Sequence, residues 1–270
     1  MTPQATAIGD PEDPRLADYL GIRTPASLAE RALFVAESRH VVRRLLAGRR
    51  FRIRSLWGTP NSIEALGREI EANRGDFEIY TSPRELFSEV AGYSVHHGCL
   101  AVAERGAAPD PLAIARGGRL LLALERLANP DNVGGVFRNA QAFGADGVWF
   151  APGGADPFYR KVLRVSTGAA LVVPFAHASD WPGALEKLRG DGYTVIAAVA
   201  GGPDVVDVRE FGRDRERPER VCLLFGAEDE GLSAEARAAS DLCVTIPMAT
   251  GFDSLNVATA SGILLHRFSE

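Results

Sequence analysis

The stretch RLLLALERLANPDNVGGVFRNAQAFGADGVWF, residues 119–150, decides the fold class. Residues 119–125 form an apolar run of strand length. Asn132 then stands where it can cap a helix whose start holds Gly134 and Gly135. Val133, Val136, Phe137 and Ala140 supply that helix with apolar spacing, and Arg138 emerges from it as a polar residue. A second strand-like run follows at 147–151.

Outward from this unit, apolar runs recur at 171–175, 193–200, 220–225 and 242–247, most of them separated by segments of helical length. Alternating strand and helix signals predict a mostly parallel sheet with helices on both faces. The α/β domain is therefore expected over 118–270, with its ligands at the carboxyl ends of the strands. Two segments at such ends draw attention besides the first. LLFGAEDEGLS (223–233) places Gly226 where backbone approaches a ligand closely, beside a cluster of Glu228, Asp229 and Glu230 that suits a cationic ligand. Its plain alternative is an acidic loop with Ser233 capping the next helix. VTIPMATGFDSLNVATASGILLHRF (244–268) ends a strand at Pro247 and leads through small and polar residues to a helix from Ser254, with Asn256 near its start. A helix cap explains Ser254 but gives no reason for the whole string.

The N-terminal part reads differently. Residues 1–14 are acidic and proline-rich, lack the apolar core of a signal peptide, and are expected to be a loose tail. Residues 15–105 mix signals: a helix over 28–47 ending at Gly48, a strand at 53–57, a helix at 63–73, a strand at 77–80 and a helix capped by Ser82 with Pro83 and Glu85 following. GAAPDPLAIARGG (106–118) has the composition of a linker, taken as 106–117. His96 and His97 precede a short apolar strand and read as structural.

Net charge is −5, which argues mildly against a nucleic-acid partner. The charge is segregated, however. Arg39, Arg43, Arg44, Arg49, Arg50, Arg52 and Arg54 follow one another with no acid between them. Without acids for i,i+4 pairing, this run is expected to face phosphate rather than to be a solvated helix face. No apolar run approaches the roughly 20 residues needed to span a bilayer. The three cysteines are odd in number and far apart, fitting neither a disulfide framework nor a metal site, and suggest a cytoplasmic protein without bound metal.

Taken together and in order, N-x-x-x-x-x-R from Asn132 to Arg138, G-x-E-x-x-G-L from Gly226, and I-P-M…S-L-N-V-A from Ile246 resemble the SpoU-type (TrmH-like) RNA ribose methyltransferases of the SPOUT superfamily. FYRKVLRVSTGAALVVPF (158–175) also looks like that family's R-x-S-x-G-A stretch. The resemblance covers 118–270, and extends more loosely to an N-terminal substrate domain at 15–105. It implies a deep trefoil knot, S-adenosylmethionine held largely by backbone at Gly226, Ile246 and Leu255, and a functional set of Arg138, Asn132, Glu228, Ser254 and Asn256. In that set Arg138 orients the ribose hydroxyl and stabilises the developing alkoxide. It further implies a homodimer whose subunits meet at each site, and ribosomal or transfer RNA as substrate, gripped by the arginine run. Phe252 and Asp253 occupy loop positions that the family varies. A nicotinamide-dependent oxidoreductase is excluded, since no G-x-G-x-x-G follows the first strand. A non-catalytic RNA-binding or ribosome-assembly factor retaining the fold is the alternative.

Overall fold

The computed structural model describes residues 5–20, 25–73, 76–93, 95, 98–251 and 254–269. The chain divides into two compact units, Met1–Ala107 with Phe158–Val172, and Ala108–Pro157 with Val173–Glu270.

The first unit contains strands β1 (Thr6–Ala7), β2 (Leu33–Glu37), β3 (Ile53–Gly58), β4 (Glu78–Thr81) and β5 (Cys99–Glu104). They form one sheet in the order β1-β4-β3-β5-β2, with β5 antiparallel to both neighbours. Around it lie helices α1 (Ala17–Leu20), α2 (Pro25–Glu30), α3 (Arg39–Gly48), α4 (Pro60–Ala65), α5 (Gly67–Asn73) and α6 (Arg84–Ala91).

Three expectations are corrected here. Residues 1–14 are not all loose: β1 pairs in parallel with β4, and Ile8 is buried beside it. The helix expected over 28–47 is a strand followed by a helix. Every residue of Leu33–Glu37 is buried, and a fully buried run carries no alternation to separate it from a helix. α3 starts only after Ser38, whose hydroxyl accepts the Val41 N–H, and Arg49 rather than Gly48 takes the left-handed position at its end. Ser82 does not cap α6, because Pro83 occupies that place. The Ser82 hydroxyl instead accepts the Trp57 indole N–H at 2.9 Å and donates to the Ile8 carbonyl at 2.7 Å. His96 and His97 lie outside the described residues.

The segment Phe158–Val172, expected within the C-terminal domain, packs with this first unit. The Phe158 ring stacks on Phe34 at 4.8 Å, and α9 (Arg160–Val165) lies against β2. Glu37 of β2 is only 4% exposed, and a carboxylate so buried requires a counter-ion. Arg160 supplies it at 3.3 Å while stacking over Tyr93, whose hydroxyl also donates to Glu37.

The second unit begins with α7 (Pro111–Ala115), capped by Asp110, inside the stretch expected as a linker. There follow β6 (Leu120–Leu124), α8 (Pro130–Ala142), β7 (Gly147–Phe150), β8 (Phe175–His177), α10 (Gly183–Gly190), β9 (Thr194–Ala198), β10 (Val205–Asp207), β11 (Val221–Phe225), α11 (Ala234–Ala238), β12 (Leu242–Thr245) and α12 (Val257–Phe268). The strands form a seven-stranded, wholly parallel sheet in the order β10-β12-β9-β11-β6-β7-β8. The strand expected at 171–175 begins only after Pro174, which has no N–H to give a ladder. β10 is a half-buried edge of three residues, too short to have left a pattern.

Both faces of this sheet are covered, which is why β6 and β11 read as unbroken apolar runs. Leu121 and Ala123 point into a core with Leu185 and Leu188 of α10 and Ala236 of α11. On the other side Phe150 stacks on Phe137 of α8. α8 and α12 approach closely because Gly135 has no side chain: a Cβ there would come within 2.5 Å of the Ala258 Cβ. Asn139 fastens the pair, donating to the Ala258 carbonyl at 2.6 Å and to the Ser261 hydroxyl at 3.0 Å. Among the described residues no helix is long and apolar enough to cross a membrane.

Candidate functional site

Chain order places the site. From β6 the chain proceeds outward through β7 and β8, then returns to build the sheet on the other side of β6. At such a reversal the connections leaving neighbouring strands diverge and open a crevice at their carboxyl ends. Here the connections after β9, β11 and β12 enclose a cavity of about 570 Å³. Its wall includes Ala198–Gly201, Phe225–Leu232, Thr245, Ile246, and Ser254–Val257.

The three residues expected to hold a cofactor by backbone, Gly226, Ile246 and Leu255, all line this cavity. Gly226 has a steric reason to be glycine. A Cβ there would lie 2.2 Å from the Gly231 carbonyl carbon and 2.3 Å from the Leu232 nitrogen. The loop after β11 folds back on itself, with Ala227 and Gly231 exchanging backbone hydrogen bonds of 3.1 and 3.0 Å, and Gly231 takes φ +67°. That curl puts a bare backbone at the cavity wall.

Asn132, Glu228, Ser254 and Asn256 also line the cavity, and three of them are linked. Asn256, not Ser254, is the N-cap of α12: its Oδ1 accepts the Ala258 N–H at 2.9 Å. That leaves the Asn256 amide NH₂ to donate to Asn132 Oδ1 at 2.8 Å. Asn132 Nδ2 then donates to Glu228 Oε1 at 2.8 Å, and the Asn129 backbone N–H reaches the same oxygen at 3.2 Å. Asn129 rather than Asn132 caps α8, with Pro130 as the first helical residue. Asn132 is thereby released for the relay, and at 6% exposure it is the buried middle of it. Ser254 is exposed in the loop before the cap. Phe252 and Asp253 lie outside the described residues.

Arg138 is not among the lining residues. It is exposed on α8, nearly two turns beyond Asn132. The lining is electrostatically divided: Glu228, Asp229 and Glu230 bring negative charge, and Arg237 is the only cation among the described residues that line it.

One residue that supports the site from outside the lining carried no motif. Glu125 directly follows β6 and is 4% exposed. Its carboxylate accepts the Ser233 N–H at 2.8 Å, the Ser233 hydroxyl at 2.7 Å and the Trp181 indole N–H at 2.9 Å. The available signal was a single acid closing an otherwise apolar strand, LLLALE.

In the other unit, the arginine run does not lack acids. Arg43 pairs with Glu69 at 2.7 Å, Arg52 with Glu104 at 3.1 Å, and Arg54 lies 3.5 Å from Asp18 and 3.7 Å from Glu104. Arg49 donates to the Ala72 carbonyl, Arg50 lies over the Phe51 ring at 5.1 Å, and Arg44 packs half-buried beside Gly168. Arg39 is exposed at the start of α3. The partners come from other strands and helices, where i,i+4 spacing does not look.

The sequence pattern of the SpoU rRNA methylase family matches residues 119–266, and so covers the sheet, the cavity and α12. The chain belongs to that family. As a SpoU methylase it is 36% identical over 266 residues to a protein of Mycobacterium bovis described as an uncharacterized tRNA/rRNA methyltransferase, covering 95% of this chain and 89% of that one. Among solved structures it resembles a putative RNA methyltransferase of the TrmH family from Porphyromonas gingivalis, with TM-score 0.80, 26% identity, and 95% and 97% of the two chains covered. The AdoMet-bound rRNA methyltransferase of Sinorhizobium meliloti shares the fold at TM-score 0.80 and 24% identity, over 97% of each chain. Both structural matches extend through the first unit as well as the SpoU methylase region.

Proposed function

We propose that this SpoU-family, S-adenosylmethionine-dependent RNA methyltransferase methylates a ribose 2′-hydroxyl of ribosomal or transfer RNA. The observation that carries the reading is the Asn256–Asn132–Glu228 relay at the wall of a cavity of about 570 Å³. That volume lies within the range of roughly 300–1,000 Å³ typical of small-molecule sites. The bare backbone at Gly226 suits a ligand held by N–H and C=O groups, and the acids at 228–230 suit a sulfonium. When bound, the cofactor supplies a methyl group on positively charged sulfur.

The chain's own task is to present a weakly acidic hydroxyl and manage its proton. Glu228 is held by Asn132 and the Asn129 N–H, so its orientation is set before RNA arrives. Ser254 and the α12 N-terminus add donors near the same wall. Arg138 is exposed outside this lining, so it serves a reacting hydroxyl only if a second copy brings it there. We therefore take the active form to be a homodimer with Arg138 stabilising alkoxide charge across subunits, since a guanidinium stays charged and is a poor base. Knotting of the loops after β11 and β12 around this cavity, a metal-free reaction, and a cytoplasmic location belong to the same proposal.

Labelled methyl transfer from S-adenosylmethionine to total bacterial RNA tests it. The expected product resists alkaline cleavage at one linkage and disappears with Arg138→Ala. Label that leaves every linkage alkali-sensitive would mean base methylation and overturn the ribose assignment.

A further inference from the structure

We infer that Glu125 is a positioning residue for the cofactor, acting through the loop that carries Gly226; this rests on the cavity being the S-adenosylmethionine site. Glu125 is itself fixed twice. Its backbone N–H donates to the Phe225 carbonyl at 2.8 Å, extending the β6–β11 ladder, and the Trp181 indole N–H holds its side chain at 2.9 Å. From there both carboxylate oxygens grip Ser233, one by its backbone N–H and one by its hydroxyl.

Ser233 is where the loop 226–232 ends, and it caps α11 by accepting the Ala236 N–H at 3.1 Å. The loop is thus pinned at its start by β11 and at its end by Glu125. The neighbouring Arg126 adds a hold between the two, with its guanidinium 3.0 Å from Glu230, but that pair is solvent-exposed and weak. Glu125 is the buried member, so its hydrogen bonds face little competition from water. Gly226 approaches Gly231 and Leu232 within van der Waals limits only while the loop end stays in place. Loosening Ser233 lets the curl relax and spoils the backbone wall on which the cofactor rests. The Glu125 carboxylate bonds to Ser233 and Trp181, which belong neither to the cavity lining nor to the relay of Asn132 and Glu228, so its effect falls on cofactor affinity more than on chemistry.

The test is calorimetric titration of S-adenosylmethionine into the full chain, wild type first, then Glu125→Gln, Ser233→Ala and the double variant. Gln keeps the shape but faces the Ser233 N–H with a second donor. The expected result is a Kd raised roughly tenfold for Glu125→Gln and less for Ser233→Ala, with the double variant no worse than Glu125→Gln alone. The KM for cofactor should rise in parallel while kcat falls by a smaller factor. An unchanged Kd accompanied by a lower Tm would make Glu125 a purely structural group and overturn the inference. If Glu125→Gln does not fold, Ser233→Ala decides: a weaker Kd supports the inference and an unchanged one overturns it. A wild type that binds no cofactor would instead overturn the reading of the cavity, and the inference with it.

Discussion

Gly226→Ala should separate a glycine required by space from one tolerated by habit. The added Cβ would sit 2.2 Å from the Gly231 carbonyl carbon, 2.3 Å from the Leu232 nitrogen and 2.4 Å from the Gly231 oxygen. Ordinary contact begins near 3.4 Å, so the facing backbone must retreat by about 1 Å. All three atoms are main chain, and no rotamer change relieves them. Overpacking of this kind costs about 1–3 kcal/mol. The loop relieves it by opening at Gly231, which is the cavity wall. If the whole cost appears in cofactor binding, affinity falls about 5- to 150-fold, at about 1.4 kcal/mol per tenfold. Gly190→Ala is the control: its Cβ meets nothing within 4 Å, and it ends α10 away from the cavity. Titration of S-adenosylhomocysteine with both variants, alongside their melting curves, reads the outcome. Wild-type affinity and wild-type Tm for Gly226→Ala would refute the steric reasoning.

Asn132→Ala removes the middle of the relay and with it one of the charge-assisted hydrogen bonds of Glu228, worth about 1.5–3 kcal/mol, while the Asn129 N–H remains. Single-turnover methylation should slow by about 10- to 150-fold while cofactor affinity changes little. For the arginine run, the existing ion pairs rank the residues: neutralising Arg39 and Arg49 should reduce the salt slope of RNA affinity more than neutralising Arg43 and Arg52, whose charge is already matched by carboxylates. Equal slopes from the two sets would mean that the run does not face phosphate. Burial pushes the Cys99 and Cys222 thiols from 9.0 up to about 12, while Cys243 is only half-buried. Native alkylation at pH 8 should therefore label Cys243 alone by mass spectrometry. The same shift makes the unfolded chain the first to release thiol protons, so Tm should fall as pH rises from about 9 towards 12.

The second unit was largely legible because its strands are short, apolar and buried on both faces, and because the glycine, proline and amide residues of its loops stand in fixed order. Helix starts were misplaced by a few residues for a definite reason. Asn129, Asn132, Ser254 and Asn256 are all competent caps, and only packing chooses among them. The first unit was less legible, since Leu33–Glu37 is as apolar as a helix face and as buried as a strand. The carboxylate partners of the arginine run were not legible at all. Spacing along one helix says nothing of Glu69, Glu104 or Asp18, which arrive from other elements.

What the amino-acid order determined by itself was local: the alternation of strands and helices, the need for glycine at a tight loop, and a stock of residues able to orient a hydroxyl. Which residues meet was decided only by the tertiary structure. Asn132, Glu228 and Asn256 are spread over 124 residues and join through bonds of 2.8 Å, because β6 and β11 are neighbours in the sheet and α8 packs on α12. The same neighbourhood sets Glu125 against Ser233, across 108 residues. Such contacts depend on sheet order and helix approach, long-range properties that no single window of sequence contains.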